Sequence, residues 1–203
     1  MDANSITIGL DLGNTFNKAV GLDADGKVLF TEELKNDAET LRRFFSEHAG
    51  AKVGMETGTH CRWISALAIE CGCHALVGNA RKLRLVFQSS RKNDWKDARK
   101  LAELCRASEE LFYPVTLRDN EHHFLLQMLK ARDLLVGQRT QIVNAIRGDC
   151  KADGVFIPKC DAGNFSAHLD TIPAELRKMF RPLTKVLEAL AKQIRAMDAK
   201  IEE

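Results

Sequence analysis

Four carboxylates in this sequence stand where a carboxylate is costly. Asp11 lies inside an otherwise apolar run, Ile6-Thr7-Ile8-Gly9-Leu10-Asp11-Leu12-Gly13, and Glu56 closes a second one, Lys52-Val53-Gly54-Met55-Glu56. Asp94 and Asp97 open a helix-like stretch, Asp94-Trp95-Lys96-Asp97. An acidic group at the centre or tip of a strand loses hydration and needs a cation to compensate it. Two carboxylates on strands and two about one helical turn apart make a donor set for a hard divalent cation, Mg²⁺ or Mn²⁺. Such ions bind through oxygen and keep several waters, so a pair of them can share four carboxylates. That chemistry points to phosphodiesters.

The helical pair also has a reading without metal. Carboxylates in a first turn are favoured by the helix dipole alone. Asp94, Ala98, Leu101 and Cys105 fall on one stripe at i, i+4, i+7 and i+11. This spacing predicts that Asp94 continues a core-facing line, while Asp97 suits a solvated flank.

The elements that must position these residues read as α/β. Residues 5–12 form a first strand, and residues 16–22 and 27–34 flank the turn-like Asp23-Ala24-Asp25-Gly26. A helix is expected near 37–48, with Asn36 or Asp37 as its N-cap and Leu41, Phe44 and Phe45 on its apolar side. A fourth strand ends at Glu56, a helix follows near 60–71, and His74-Ala75-Leu76-Val77 is the fifth strand. A three-strand meander joined to right-handed crossovers is the pattern of an RNase H-like sheet.

At 203 residues the chain holds one full core, or one domain with an appendage. Hydrophobic content of 45% and charged content of 29% suit a soluble globular protein. No apolar run has the length of a membrane helix, and Met-Asp-Ala-Asn lacks the features of a signal peptide. A cytoplasmic location is therefore expected, with Cys61, Cys71, Cys73, Cys105, Cys150 and Cys160 reduced. His60-Cys61 and Cys71-Gly72-Cys73-His74 invite a zinc site, but a matching second pair at metal-ligand spacing is missing, and buried thiols are the better reading.

Net charge is only +2, yet it is unevenly spread. Residues 1–80 carry 7 basic and 11 acidic side chains, residues 81–100 carry 8 and 2, and residues 101–203 carry 15 of each. The excess lies in Arg81, Lys82, Arg84, Arg91, Lys92, Lys96, Arg99 and Lys100, flanking Asp94 and Asp97. A basic segment beside a carboxylate cluster suits a polyanion that must approach a metal. By itself, such a run is also what a solvated loop looks like.

Beyond residue 112 the texture changes. Tyr113-Pro114 breaks the chain, and residues 119–147 then read as one long helix, its 3–4 spacing interrupted at Arg132 and Arg139. Residues 149–173 read as a loop-rich cap. After Pro182, Leu183, Leu187, Leu190, Ile194, Met197 and Ile201 follow heptad spacing. Two domains follow: residues 1–112, and a helical coiled-coil region over 113–203 that forms an antiparallel hairpin or a self-associating arm. The last helix meets Glu202-Glu203 without a capping Gly or Pro, which reads as a chain cut from something longer.

Ile8-Gly9-Leu10-Asp11-Leu12-Gly13, Val53-Gly54-Met55-Glu56 and Lys92-Asn93-Asp94-Trp95-Lys96-Asp97-Ala98 resemble the three blocks of the DEDD insertion-sequence recombinases, the family of the Piv invertase and the bridge-RNA-guided transposases. Arg132-Asp133-Leu134-Leu135-Val136-Gly137-Gln138-Arg139-Thr140-Gln141-Ile142-Val143-Asn144 is similar to that family's long helix. The resemblance covers essentially the whole chain. It implies a RuvC-like domain with Asp11, Glu56, Asp94 and Asp97 as catalytic Mg²⁺ ligands, DNA as substrate, and in some members a guide RNA. The family's serine nucleophile lies in a further C-terminal domain that this sequence does not contain, so strand exchange by this chain alone is not expected. Two other readings compete. Asp11-Leu12-Gly13-Asn14-Thr15 also looks like the first phosphate loop of actin-like and sugar-kinase ATPases, without their second loop. The remaining one is a non-catalytic nucleic-acid-binding scaffold.

Overall fold

The computed structural model describes residues 6–86 and 94–202. Two compact units divide the chain, Met1–Leu117 and Arg118–Glu203. The first is built on five strands: β1 (Thr7–Asp11), β2 (Phe16–Leu22), β3 (Val28–Lys35), β4 (Lys52–Glu56) and β5 (His74–Gly78). Their order across the sheet is β3-β2-β1-β4-β5. β1 pairs antiparallel with β2, and β2 with β3, whereas β1–β4 and β4–β5 are parallel. Helices flank the sheet, giving the mixed RNase H-like α/β arrangement expected of the sequence.

Local chemistry explains the joints. In the β2–β3 turn Asp23 Oδ1 accepts from the backbone N–H of Asp25 at 3.0 Å and of Lys27 at 2.8 Å, and Gly26 supplies a φ of +84°. Helix α1 (Ala38–Glu47) starts at Asp37, whose side chain accepts from Thr40 N at 2.8 Å. That bond, with Lys35 nearby, lowers the Asp37 carboxyl to about 2. Asn36, the other candidate cap, instead holds the loop after β1.

One face of the sheet carries the larger core. Ile8, Leu10, Ala19, Leu34, Val53 and Met55 pack against α1 and α2 (Cys61–Glu70) through Leu41, Phe44, Phe45, Ile64 and Leu67. The other face is crossed by α4 (Asp94–Ala107), which comes after α3 (Ala80–Val86). α4 lies unusually close: a Cβ on Gly9 would sit 2.0 Å from Ala98 O and 2.3 Å from Ala102 N. A Cβ on Gly54 would meet Cys105 Cβ at 2.8 Å. Glycine at both positions is what lets the helix backbone rest on the strands. Residues 113–117 stay with this unit: Val115 N donates to Val77 O at 2.8 Å, and Val115 and Leu117 pack on the larger core.

The second unit is a pair of long helices, α5 (Asn120–Ala152) and α6 (Ala174–Glu202), with a 3-10 stretch at Ala162–Thr171. Val143, Ile146 and Cys150 share a core with Phe165, Ile172, Phe180 and Leu187, so α5 and α6 run antiparallel within one chain. Arg132, an interruption in the α5 pattern, reaches Asp198 on α6 at 2.6 Å. Arg139 Nε is buried without a hydrogen-bond partner among the described residues.

Two boundaries differ from the sequence expectation. α5 continues to Ala152 through Gly148, taking residues assigned to the loop-rich cap. α6 begins at Ala174 and contains Pro182 rather than starting after it. An interior proline costs a helix about 3 kcal/mol. Burial of Phe180 in the same turn offsets that cost by keeping the helix on its core.

Candidate active site

The three parallel strands end on one edge of the sheet. Leu10 pairs with Met55 and Glu56 with Gly78, so Asp11, Glu56 and the start of α3 lie side by side there. Side chains alternate across a strand. Asp11, two residues past Gly9, and Glu56, two past Gly54, therefore both lie on the face that α4 covers. Both are half-buried. The C-terminal ends of parallel strands are where α/β sheets present their chemistry.

The direction of α4 brings the other pair to the same edge. Arg106, near its C-terminus, donates to Ala24 O at 2.9 Å in the β2–β3 turn, beyond the far ends of β1 and β4. Trp95, in its first turn, lies 5.0 Å from Lys18 Nζ, measured to the ring centroid. Lys18 sits on β2 directly across from Asp11. α4 is thus antiparallel to β1, and its first turn, with Asp94 and Asp97, stands at the end of the sheet where β1 stops, with Trp95 against Lys18 of β2.

The two helical acids are placed in the reverse of their expected order. Asp94 is exposed, whereas Asp97 is half-buried and lies 3.7 Å from Lys100 Nζ. Ala98, Leu101 and Cys105 are buried as the stripe predicts. The stripe does not extend to Asp94, which lies beyond the part of α4 that rests on the glycines. Among the described residues no three or more His, Cys, Asp or Glu side chains gather closely enough to hold a metal ion. The four carboxylates share an edge and a face of the sheet without closing into a cage.

Sequence reasoning missed two groups here. Lys18 lies opposite Asp11, pairs with Glu33 across β2–β3, and meets Trp95; only the strand register reveals it. The second is an asparagine pair that fixes the loop after Asp11. Asn17, fully buried, accepts from Gly13 N at 3.1 Å and donates to Asn36 Oδ1 at 3.3 Å. Asn36 donates in turn to Gly13 O at 2.8 Å. The Gly13 N–H that a phosphate loop would present is therefore engaged inside the protein. This counts against the ATPase reading.

Of the basic residues, Arg81 and Lys82 are exposed at the start of α3, next to the end of β5, with Lys82 Nζ 4.9 Å from the Tyr113 ring centroid. Lys96 is exposed and Lys100 half-buried on α4. Arg91 and Lys92, and the side chain of Arg84, lie outside the described residues. The cysteines are free thiols. Cys73 donates to Phe45 O at 3.5 Å and His48 O at 3.4 Å, and burial pushes it up to about 11 and Cys105 up to about 12.

Comparison with known proteins is decisive about kinship. The model of the family DEDD_Tnp_IS110, described as "Transposase", matches residues 8–150. The chain belongs to this transposase family. The matched region takes in all four carboxylates and the ends of the three parallel strands. The chain is 26% identical over 200 residues to the "Probable family 20 transposase" of Pseudomonas aeruginosa, covering 98% of this chain and 57% of that protein. It is also 26% identical over 200 residues to the "Transposase for insertion sequence element IS1111A" of Coxiella burnetii, covering 96% of this chain and 52% of that one. The chain thus spans little more than half the length of these curated transposases. No helix among the described residues is long and apolar enough to cross a membrane.

Proposed function

We propose that this chain is the carboxylate-bearing part of a bacterial DNA transposase, acting in the cytoplasm on DNA phosphodiesters. The observation that supports this reading is that Asp11 and Glu56 lie on adjacent strand ends, on the face covered by the helix whose first turn bears Asp94 and Asp97. The donor chemistry fits a hard divalent cation, Mg²⁺ or Mn²⁺: four carboxylates, two of them half-buried. When bound, such ions supply Lewis-acid polarisation of a phosphodiester.

In this reading Asp11 and Glu56 are the fixed donors, since the sheet holds their backbones. Asp94 and Asp97 complete the set from the helix side. Arg81, Lys82, Arg84, Arg91, Lys92, Lys96 and Lys100 hold the DNA backbone, which positions the strand without reading its sequence. The attacking hydroxyl comes from the serine that the family carries in a further domain. Self-association of α5 and α6 arms, whose surface leaves Phe124, Leu129 and Leu134 exposed, belongs to the same reading.

The test is a Mn²⁺ titration read by calorimetry and thermal shift, with ATP in a parallel arm. Saturable Mn²⁺ binding that Asp11→Asn and Glu56→Gln each abolish is the expected result. A second reading, the non-catalytic nucleic-acid scaffold, draws on the absence of a closed ligand group among the described residues. DNA binding with no Mn²⁺ response in the unmodified chain would decide for it.

A further inference from the structure

On the face that α4 covers, towards β3, lies a groove that the carboxylate chemistry does not use. Val20, Val28 and Thr31 of the β2–β3 ribbon line it, together with Trp95, Lys96 and Arg99 of α4. Its wall is an indole that is 37% exposed. Lys18 contacts that same indole. Lys96 and Arg99 bring two cations, and Glu103, bonded to Arg99 Nε at 2.8 Å, brings one carboxylate. Trp95 and Arg99 are four residues apart and so share one side of α4, with a rise of about 6 Å between them.

The geometry points to a binding site for an unpaired DNA strand in this groove, a base stacking on Trp95 between the ribbon and α4 while a neighbouring phosphate meets Arg99 or Lys96. The inference rests on the transposase reading above and adds to it where an unpaired strand lies. An apolar floor, an aromatic wall and cations about one nucleotide away suit a stacked base with its phosphate better than a duplex, whose bases present no face. Asp94 directly precedes Trp95, so a strand held here passes the carboxylate edge.

The experiment uses the full chain with Trp63→Phe, leaving Trp95 as its single tryptophan. A dye-labelled 12-nucleotide oligo-dT is titrated while its anisotropy and Trp95 emission are both recorded. Saturable quenching with the same midpoint as the anisotropy change is expected, and a duplex of equal length should leave the emission unchanged. Trp95→Ala should weaken oligo-dT binding about tenfold, and Trp95→Phe less. Oligo-dT binding with unaltered Trp95 emission overturns the groove and leaves the transposase reading standing, as does quenching by oligo-U alone. Failure of oligo-dT to bind while Mn²⁺ still binds through Asp11 does the same. Quenching retained in a chain that ignores Mn²⁺ supports the groove and counts against the carboxylate site instead.

Discussion

At the residue scale, Asp11 concentrates the problem the fold has to solve. It is half-buried at a strand end, faces the helix that carries two more acids, and stands beside Glu56. Asp11→Asn removes a half-buried charge while keeping the side chain's shape, so without metal the melting temperature should change little. With millimolar Mn²⁺ the unmodified chain should gain several degrees by mass action, and Asp11→Asn should gain none. Differential scanning fluorimetry with and without Mn²⁺ checks both halves, and a metal-free Asp11→Asn that melts much earlier would mean a structural role. Buried thiols give a second prediction at this scale. Burial lifts Cys105 to about 12, above its ordinary unfolded value near 8.5. Its contribution is fully present below that unfolded value and is lost as pH rises towards 12. The slope is about 1.4 kcal/mol per pH unit within that window. Denaturant melts at pH 8, 9 and 10 should therefore show falling stability, and Cys105→Ala, lower at the outset, should fall less steeply. Asp11 and Glu56 were legible because an acid breaking an apolar run needs no partner to be noticed. Lys18 was not, because one lysine in a strand says nothing until the register sets it opposite Asp11.

At the element scale, the site depends on how closely α4 lies on the sheet. The close approach over Gly9 leaves no space for a methyl group, since the neighbouring atoms are helix backbone rather than a side chain that could turn away. Gly9→Ala should thus cost at least about 1–3 kcal/mol as overpacking. By lifting the first turn of α4 it should also weaken Mn²⁺ binding while leaving all four acids in place. Urea unfolding and calorimetry on that variant test the two effects separately; unchanged affinity would uncouple α4 from the site. In the other unit, Leu187 is 4% exposed against α5 and the 3-10 segment. Leu187→Glu should destabilise the helical pair by about 3 kcal/mol or more, through lost burial and a buried charge. Circular dichroism melts would read this, and a neutral result would make the seam a surface feature. The strands, α1, α2 and the meander could be read ahead because period-2 and period-3.6 patterns with Asp37 and Asp23 punctuation agree there. Pro182 misled because a local breaker was outweighed by burial of a neighbour, a tertiary effect that no window of sequence contains.

At the scale of the whole molecule, the net charge of +2 hides a division of labour. The sheet unit gathers acids at one edge and starts a basic helix beside it, so attraction and chemistry are assigned to different side chains. Counterion release scales with the number of phosphates neutralised, whereas in the proposed reading the carboxylates would engage DNA only through a metal. Arg81→Ala with Lys82→Ala should weaken duplex binding across unrelated sequences and reduce the slope of log affinity against log salt by roughly two phosphate contacts' worth. Asp11→Asn should leave metal-free binding intact, or tighten it by removing a charge that repels phosphate. Fluorescence anisotropy over a salt series, with two unrelated duplexes, measures these slopes. An affinity insensitive to salt and to the double substitution would place the DNA elsewhere on the chain. The same separation predicts that the 203-residue chain binds DNA but joins no strands. In the proposed reading metal alone does not join strands, because polarising a phosphodiester lowers a barrier only for a nucleophile already in line. Efficient strand joining by this chain in Mn²⁺ would show that it carries its own nucleophile and would overturn the assignment of that role to another domain.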